Sequence, residues 1–70
     1  MTNYLYVKNV LKKADSPLSG DQIWYRAKEK NQSLSRSRVS TILQTMKSKG
    51  VASFDVEQVS KRRIKFWYLL

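Results

Sequence analysis

The sequence predicts an α+β domain: three helices followed by a two-stranded β-hairpin. Two observations carry that prediction. Before Gly50, apolar residues recur with a helical period in three separate stretches, and after it they alternate with a period of two. The second and third helical stretches also open on the same start signal, a leucine followed by a capping serine (Leu18-Ser19 and Leu34-Ser35).

The first helix is expected from about Asn3 to Ala14, where Tyr4, Val7, Val10, Leu11 and Ala14 form one stripe. Lys8, Lys12 and Lys13 lie off that stripe, so it reads as a packing element with solvated lysines. Asp15-Ser16-Pro17 ends it, because Pro17 cannot continue a helix and biases Ser16 away from helical angles. Leu18 is placed to add a very short extra strand. Ser19 and Gln22 then form a capping box, Leu18 and Ile23 a hydrophobic staple, and Asp21 complements the helix dipole. This second helix is expected from about Gly20 to Lys30, with Ile23, Trp24 and Ala27 inward and Tyr25, Arg26, Lys28 and Glu29 outward. Asn31-Gln32-Ser33 is a short polar turn, and two helices joined so closely make a helix-turn-helix pattern that many helical bundles share.

The stretch from Leu34 to Gly50 reads as a helix marked at both ends. Ser35 is its N-cap, and Leu34 and Val39 are spaced as a staple. Gly50 suits the left-handed position past the end, with Val51 placed to touch Met46. Val39, Ile42, Leu43 and Met46 form the apolar stripe; Ser37, Ser40, Thr41, Gln44 and Ser48 form a polar face free of acids. The first turn breaks a rule. It is electropositive and favours Asp or Glu, yet it carries Arg36 and Arg38, with Arg38 where a capping box would place Glu or Gln. Such violations concentrate at functional sites. Two arginines beside free N–H groups suit a phosphate or a base edge; the plainer reading leaves both solvated.

Beyond Gly50, Ala52, Phe54 and Val56 alternate with Ser53 and Asp55, and Ile64, Phe66, Tyr68 and Leu70 alternate with Lys65, Trp67 and Leu69. Both runs read as strands of one hairpin. Its tip falls within Glu57–Arg63, where no Asn-Gly or Asp-Gly sets the register. Lys61, Arg62, Arg63 and Lys65 cluster there. The last strand ends apolar on both faces, so that end is either buried on both sides or offered to a partner.

Composition narrows the function. Seventy residues make one domain spanning 1–70, with a small core. With no Cys and no His, disulfides, thiolate or imidazole metal sites and Ser-His or Cys-His catalysis are excluded. The five acids are scattered, with no acid/base pair, so no enzyme and no cofactor is expected. Fourteen Lys and Arg against five Asp and Glu give a formal charge of +9, which implies an anionic partner: nucleic acid, an acidic membrane surface or an acidic protein. A basic ribosomal or structural protein is the bland competitor. No segment reads as a signal peptide or a membrane span, so a cytoplasmic, nucleoid-associated protein is expected.

The order of elements, with Leu34-Ser35-Arg36-Ser37-Arg38-Val39-Ser40 leading through Leu43 and Met46 to Lys49-Gly50-Val51 and the Phe54–Tyr68 hairpin, resembles the winged helix-turn-helix domain over nearly the whole chain. Many bacterial and phage regulators carry a similar start and end around their recognition helix. The resemblance implies double-stranded DNA as partner, the third helix in the major groove and the hairpin wing on backbone or minor groove. Arg36, Ser37, Arg38, Ser40, Thr41 and Gln44 would face bases and phosphates; Lys47, Lys61, Arg62, Arg63 and Lys65 would hold phosphates. A related subfamily that binds left-handed duplexes uses an Asn and a Tyr where this chain has Ser40 and Gln44, so that specialised activity is not implied, although Trp67 lies near its wing tryptophan.

Regulators of this type usually dimerise through an extra helix or domain, for which this chain has no residues to spare. Binding as a monomer, cooperative assembly along DNA and pairing through Trp67, Tyr68, Leu69 and Leu70 are the expected alternatives. Small size, with no small-molecule ligand expected, favours a compact phage, plasmid or accessory regulator of transcription or recombination. Two readings compete: a winged module that docks on an acidic protein through its aromatic end, and an RNA-binding protein, for which no single-strand-binding motif is present.

Overall fold

The computed structural model describes residues 3–70. Its elements follow in the order α1 (Asn3–Lys13), β1 (Leu18–Ser19), α2 (Gly20–Ala27), α3 (Arg36–Ser48), β2 (Ala52–Val59) and β3 (Arg62–Leu69). The three strands form one antiparallel sheet in the order β1-β3-β2, so β3 is central although it comes last.

The starts of α2 and α3 and the end of α3 have local causes. At the start of α2, the Ser19 N–H donates to Gln22 Oε1 at 3.0 Å and the Gln22 N–H donates to Ser19 Oγ at 3.3 Å, which completes the capping box. At the start of α3, Ser35 Oγ accepts from the Arg38 N–H at 3.1 Å. At its end Gly50 has φ of 72°, the Gly50 N–H donates to the Lys47 carbonyl at 3.0 Å and the Val51 N–H to the Met46 carbonyl at 2.9 Å. Those two bonds with a left-handed residue make a Schellman ending, as the Lys49-Gly50-Val51 sequence predicts.

α2 stops at Ala27, short of the expected Lys30. The Lys30 N–H turns back to the Ala27 carbonyl at 3.0 Å, a tighter bond than the helical one. Asn31 then organises the turn: its Oδ1 accepts from the Ser33 N–H at 3.2 Å and the Ser33 hydroxyl at 2.7 Å, and its Nδ2 donates to Asn3 Oδ1 of α1 at 2.7 Å. These side-chain bonds compete with helix continuation.

The core is one cluster with no buried polar side chain among the described residues. Val7 and Leu11 come from α1, Ile23 and Ala27 from α2, and Val39, Ile42, Leu43 and Met46 from α3. Leu18, Leu34, Ala52 and Trp67 close it. Trp67 is 4% exposed, pairs with Leu18 on one side and Phe54 on the other, and meets the Phe54 ring at a centroid distance of 4.8 Å.

That burial corrects the expectation that Trp67 belongs to a surface for pairing or docking. The central strand turns Trp67 inward, Tyr68 and Leu69 are half-buried, and Leu70 alone of the four is largely exposed, at 75%. A second correction concerns Trp24, expected to point inward. It sits half-buried at the edge, where its Nε1–H donates to the Leu34 carbonyl at 2.7 Å and ties α2 to the entry of α3. An indole N–H needs a partner, and here the Leu34 carbonyl at the edge supplies it.

The hairpin turn is the two-residue link Ser60-Lys61 between the paired Val59 and Arg62. Ser60 has φ of 57° and Lys61 does not share the positive sign, the φ pattern of a type II′ turn. This register sends Ala52, Phe54, Lys65, Trp67 and Leu69 to one face of the sheet and Ser53, Asp55, Ile64, Phe66 and Tyr68 to the other.

Candidate nucleic-acid interface

Every residue singled out from the sequence is exposed: Arg36, Ser37, Arg38, Ser40, Thr41, Gln44 and Lys47 on α3, and Lys61, Arg62, Arg63 and Lys65 on the hairpin. The reason on α3 is periodicity. Burial of Val39, Ile42, Leu43 and Met46 leaves Ser37, Ser40, Thr41, Gln44 and Ser48 as an outward ridge. Short side chains make it a low ridge, which lets the backbone approach another surface closely. Two threonines of α3 spend their hydroxyl protons locally: Thr41 Oγ1 donates to the Ser37 carbonyl and Thr45 Oγ1 to the Thr41 carbonyl, each at 3.0 Å. Thr41 therefore meets a ligand as an acceptor and a methyl group.

The two arginines do not converge on one point, as the sequence suggested. Arg36 leans toward α2, where its Nη2 lies 2.6 Å from Asp21 Oδ1 and its guanidinium carbon 5.3 Å from the Trp24 ring centroid. Arg38 lies on the other flank, in a hollow shared with Asn3, Tyr4, Thr41 and Thr45. They bracket the ridge. Arg36 is also less anomalous than its position implied, because Asp21 balances its charge across the helix-turn-helix.

Between α3 and the hairpin runs an open cleft of about 400 Å³. Ser40 and Gln44 line one side, Arg62, Arg63, Ile64 and Lys65 the other, and Ser19 to Asp21 its end. Phe54 of β2 lies near cations from two elements: Lys47 Nζ of α3 stands 5.1 Å from its ring centroid and Lys65 Nζ of β3 stands 4.7 Å away. The ring attracts each ammonium. Both lysines are marked by their charge in the sequence, whereas Phe54 and Asp21 carry no local signal for this site. Phe54 was legible only as a strand residue, and Asp21 as a dipole partner.

Arg36–Asp21 is the one side-chain ion pair among the described residues. The other cations of the ridge and wing are thus available to an external anion. Among those residues no group of three or more Cys, His, Asp or Glu could hold a metal. No helix is long and apolar enough to cross a membrane.

The sequence matches no protein-family model and no curated protein. Its structure is similar to that of a PadR family transcription regulator from hypervirulent Clostridium difficile R20291, with a TM-score of 0.79 over 97% of this chain and 71% of that one, at 21% sequence identity. The fold is a winged helix-turn-helix. In its terms α2 and α3 form the helix-turn-helix, and the β2–β3 hairpin is the wing. At that identity the likeness concerns the fold and not the ligand.

Proposed function

We propose that this winged-helix chain is a double-stranded DNA-binding protein that regulates transcription or recombination, with α3 in the major groove and the wing along the backbone. The observation that carries the reading is the continuity of one cationic surface: an acid-free polar ridge, an arginine on each flank, and a wing whose Lys61, Arg62, Arg63 and Lys65 have no acidic partner among the described residues. The likeness to a transcription regulator supports it. Arg36 and Arg38 are assigned to bases and the phosphates beside them, Ser37, Ser40, Thr41 and Gln44 to base edges, and Lys47 with the four wing cations to phosphates. The nucleoid is the place such a protein would work.

Fluorescence anisotropy with a mixed-sequence duplex, across a salt series, tests the reading. Neutralisation of about six phosphates gives a slope of log affinity against log salt near −5. Arg36→Ala and Arg38→Ala should lose preference for a selected site, whereas Lys61→Ala should weaken all duplexes evenly. No binding at low salt would refute DNA as the partner. Equal effects of all three variants on selected and mixed duplexes would refute the assignment of base contacts.

A further inference from the structure

Asp21 is an acid at the end of an otherwise cationic cleft, and it is committed to one partner. Its Oδ1 lies 2.6 Å from Arg36 Nη2. The side chains are 62% exposed for Arg36 and 69% for Asp21, and a pair so open to water contributes little to stability. The guanidinium is restrained a second time by the Trp24 ring, which is itself tethered through its indole N–H to the Leu34 carbonyl. The Nε and Nη1 donors of Arg36 meet no protein acceptor among the described residues. Nη2 carries two hydrogens, so with one turned to Asp21 the other still forms a two-donor fork with a neighbouring guanidinium nitrogen.

We propose that Asp21 is a positioning residue that makes Arg36 a reader of guanine instead of a phosphate anchor, an inference that rests on the DNA-binding reading above. A phosphate accepts an arginine from many directions, so an unrestrained Arg36 would settle on the nearest backbone oxygen of any sequence. Bidentate pairing with O6 and N7 of guanine fixes the guanidinium plane, so a side chain already held in that plane loses less freedom on pairing. Asp21 supplies that orientation, neutralises the charge that would otherwise attract phosphate, and repels backbone that approaches the end of the cleft. Its cost in non-specific affinity is the source of its contribution to specificity.

The test compares the full chain with Asp21→Asn, Arg36→Ala, the double variant, and Asp55→Asn as a control with the same change in charge on the outer face of the wing. Anisotropy across a salt series uses a duplex selected by the wild type from a randomised library and a mixed-sequence duplex of equal length. Releasing Arg36 onto one more phosphate steepens the mixed-duplex slope by about 0.9, which is an about eightfold gain in affinity at 0.1 M salt relative to 1 M. The expected result is that gain for Asp21→Asn, a lost preference for guanine at one position of the site, and no such response in the Arg36→Ala background. A response no larger than that of Asp55→Asn, or one that persists without Arg36, overturns the proposal. So does a lowered melting temperature with an unchanged specificity ratio, which would leave Asp21 a helix-dipole residue. Wild-type binding without sequence preference overturns it while the DNA-binding reading stands. Absence of wild-type binding removes that reading itself.

Discussion

Gly50 offers a prediction whose magnitude follows from the structure. It occupies φ of 72° at the junction where α3 hands over to the wing, and a Cβ built there meets no atom within 4 Å. Gly50→Ala therefore introduces no clash, only the backbone cost of holding an L-residue in the left-handed region, about 1–2 kcal/mol. Alanine also narrows the unfolded ensemble, which offsets about 0.4–1 kcal/mol of that cost. The net loss should be close to 1 kcal/mol, a fall in melting temperature of about 4–8 °C for a domain of this size. Gly50→Asn should lose less, because asparagine tolerates the conformation. Thermal and urea unfolding followed by circular dichroism measure both. An unchanged or higher melting temperature for Gly50→Ala would refute the assignment of strain to the Schellman turn. A loss above about 3 kcal/mol would refute the claim of open space, since only steric conflict or a broken turn reaches that size.

Two further substitutions probe the framework of the site. Trp24→Phe deletes the 2.7 Å bond to the Leu34 carbonyl and should lower urea-unfolding stability by about 1–2 kcal/mol; a change near zero would mean that the bond does not tie α2 to α3. Ser60→Gly relieves a positive φ at the wing tip and should raise stability by up to about 1 kcal/mol, visible as a higher melting temperature; a fall would contradict the left-handed turn at Ser60.

Much of this molecule was legible in its local chemistry. Ser19 with Gln22, Ser35 and Gly50 announce helix ends through bonds that span at most a few residues, and the structure forms each of them. The apolar stripe of α3 likewise names its buried residues, and by subtraction its exposed ridge. Pairing parity was different. The last strand alternates Phe66 and Tyr68 with Trp67 and Leu69, apolar on both sides, so nothing in that run says which set faces the core. The decision came from partners distant in sequence, Leu18 and Phe54, which flank Trp67 once β3 becomes the central strand. Trp24 and Arg36 repeat the lesson. A tryptophan on a helix stripe reads as core, and an arginine at a helix start reads as a misplaced charge; the turn at Asn31 brings them together with Asp21 and gives each a partner. The sequence by itself thus determined the elements, the capped starts of α2 and α3, the end of α3, the cationic character and the polar ridge of α3, because these depend on neighbours along the chain. Only the tertiary structure decided which strand face is buried, that Arg36 and Arg38 lie on opposite flanks, and that Lys47 and Lys65 meet at Phe54, because those depend on elements that approach one another only after the chain has folded.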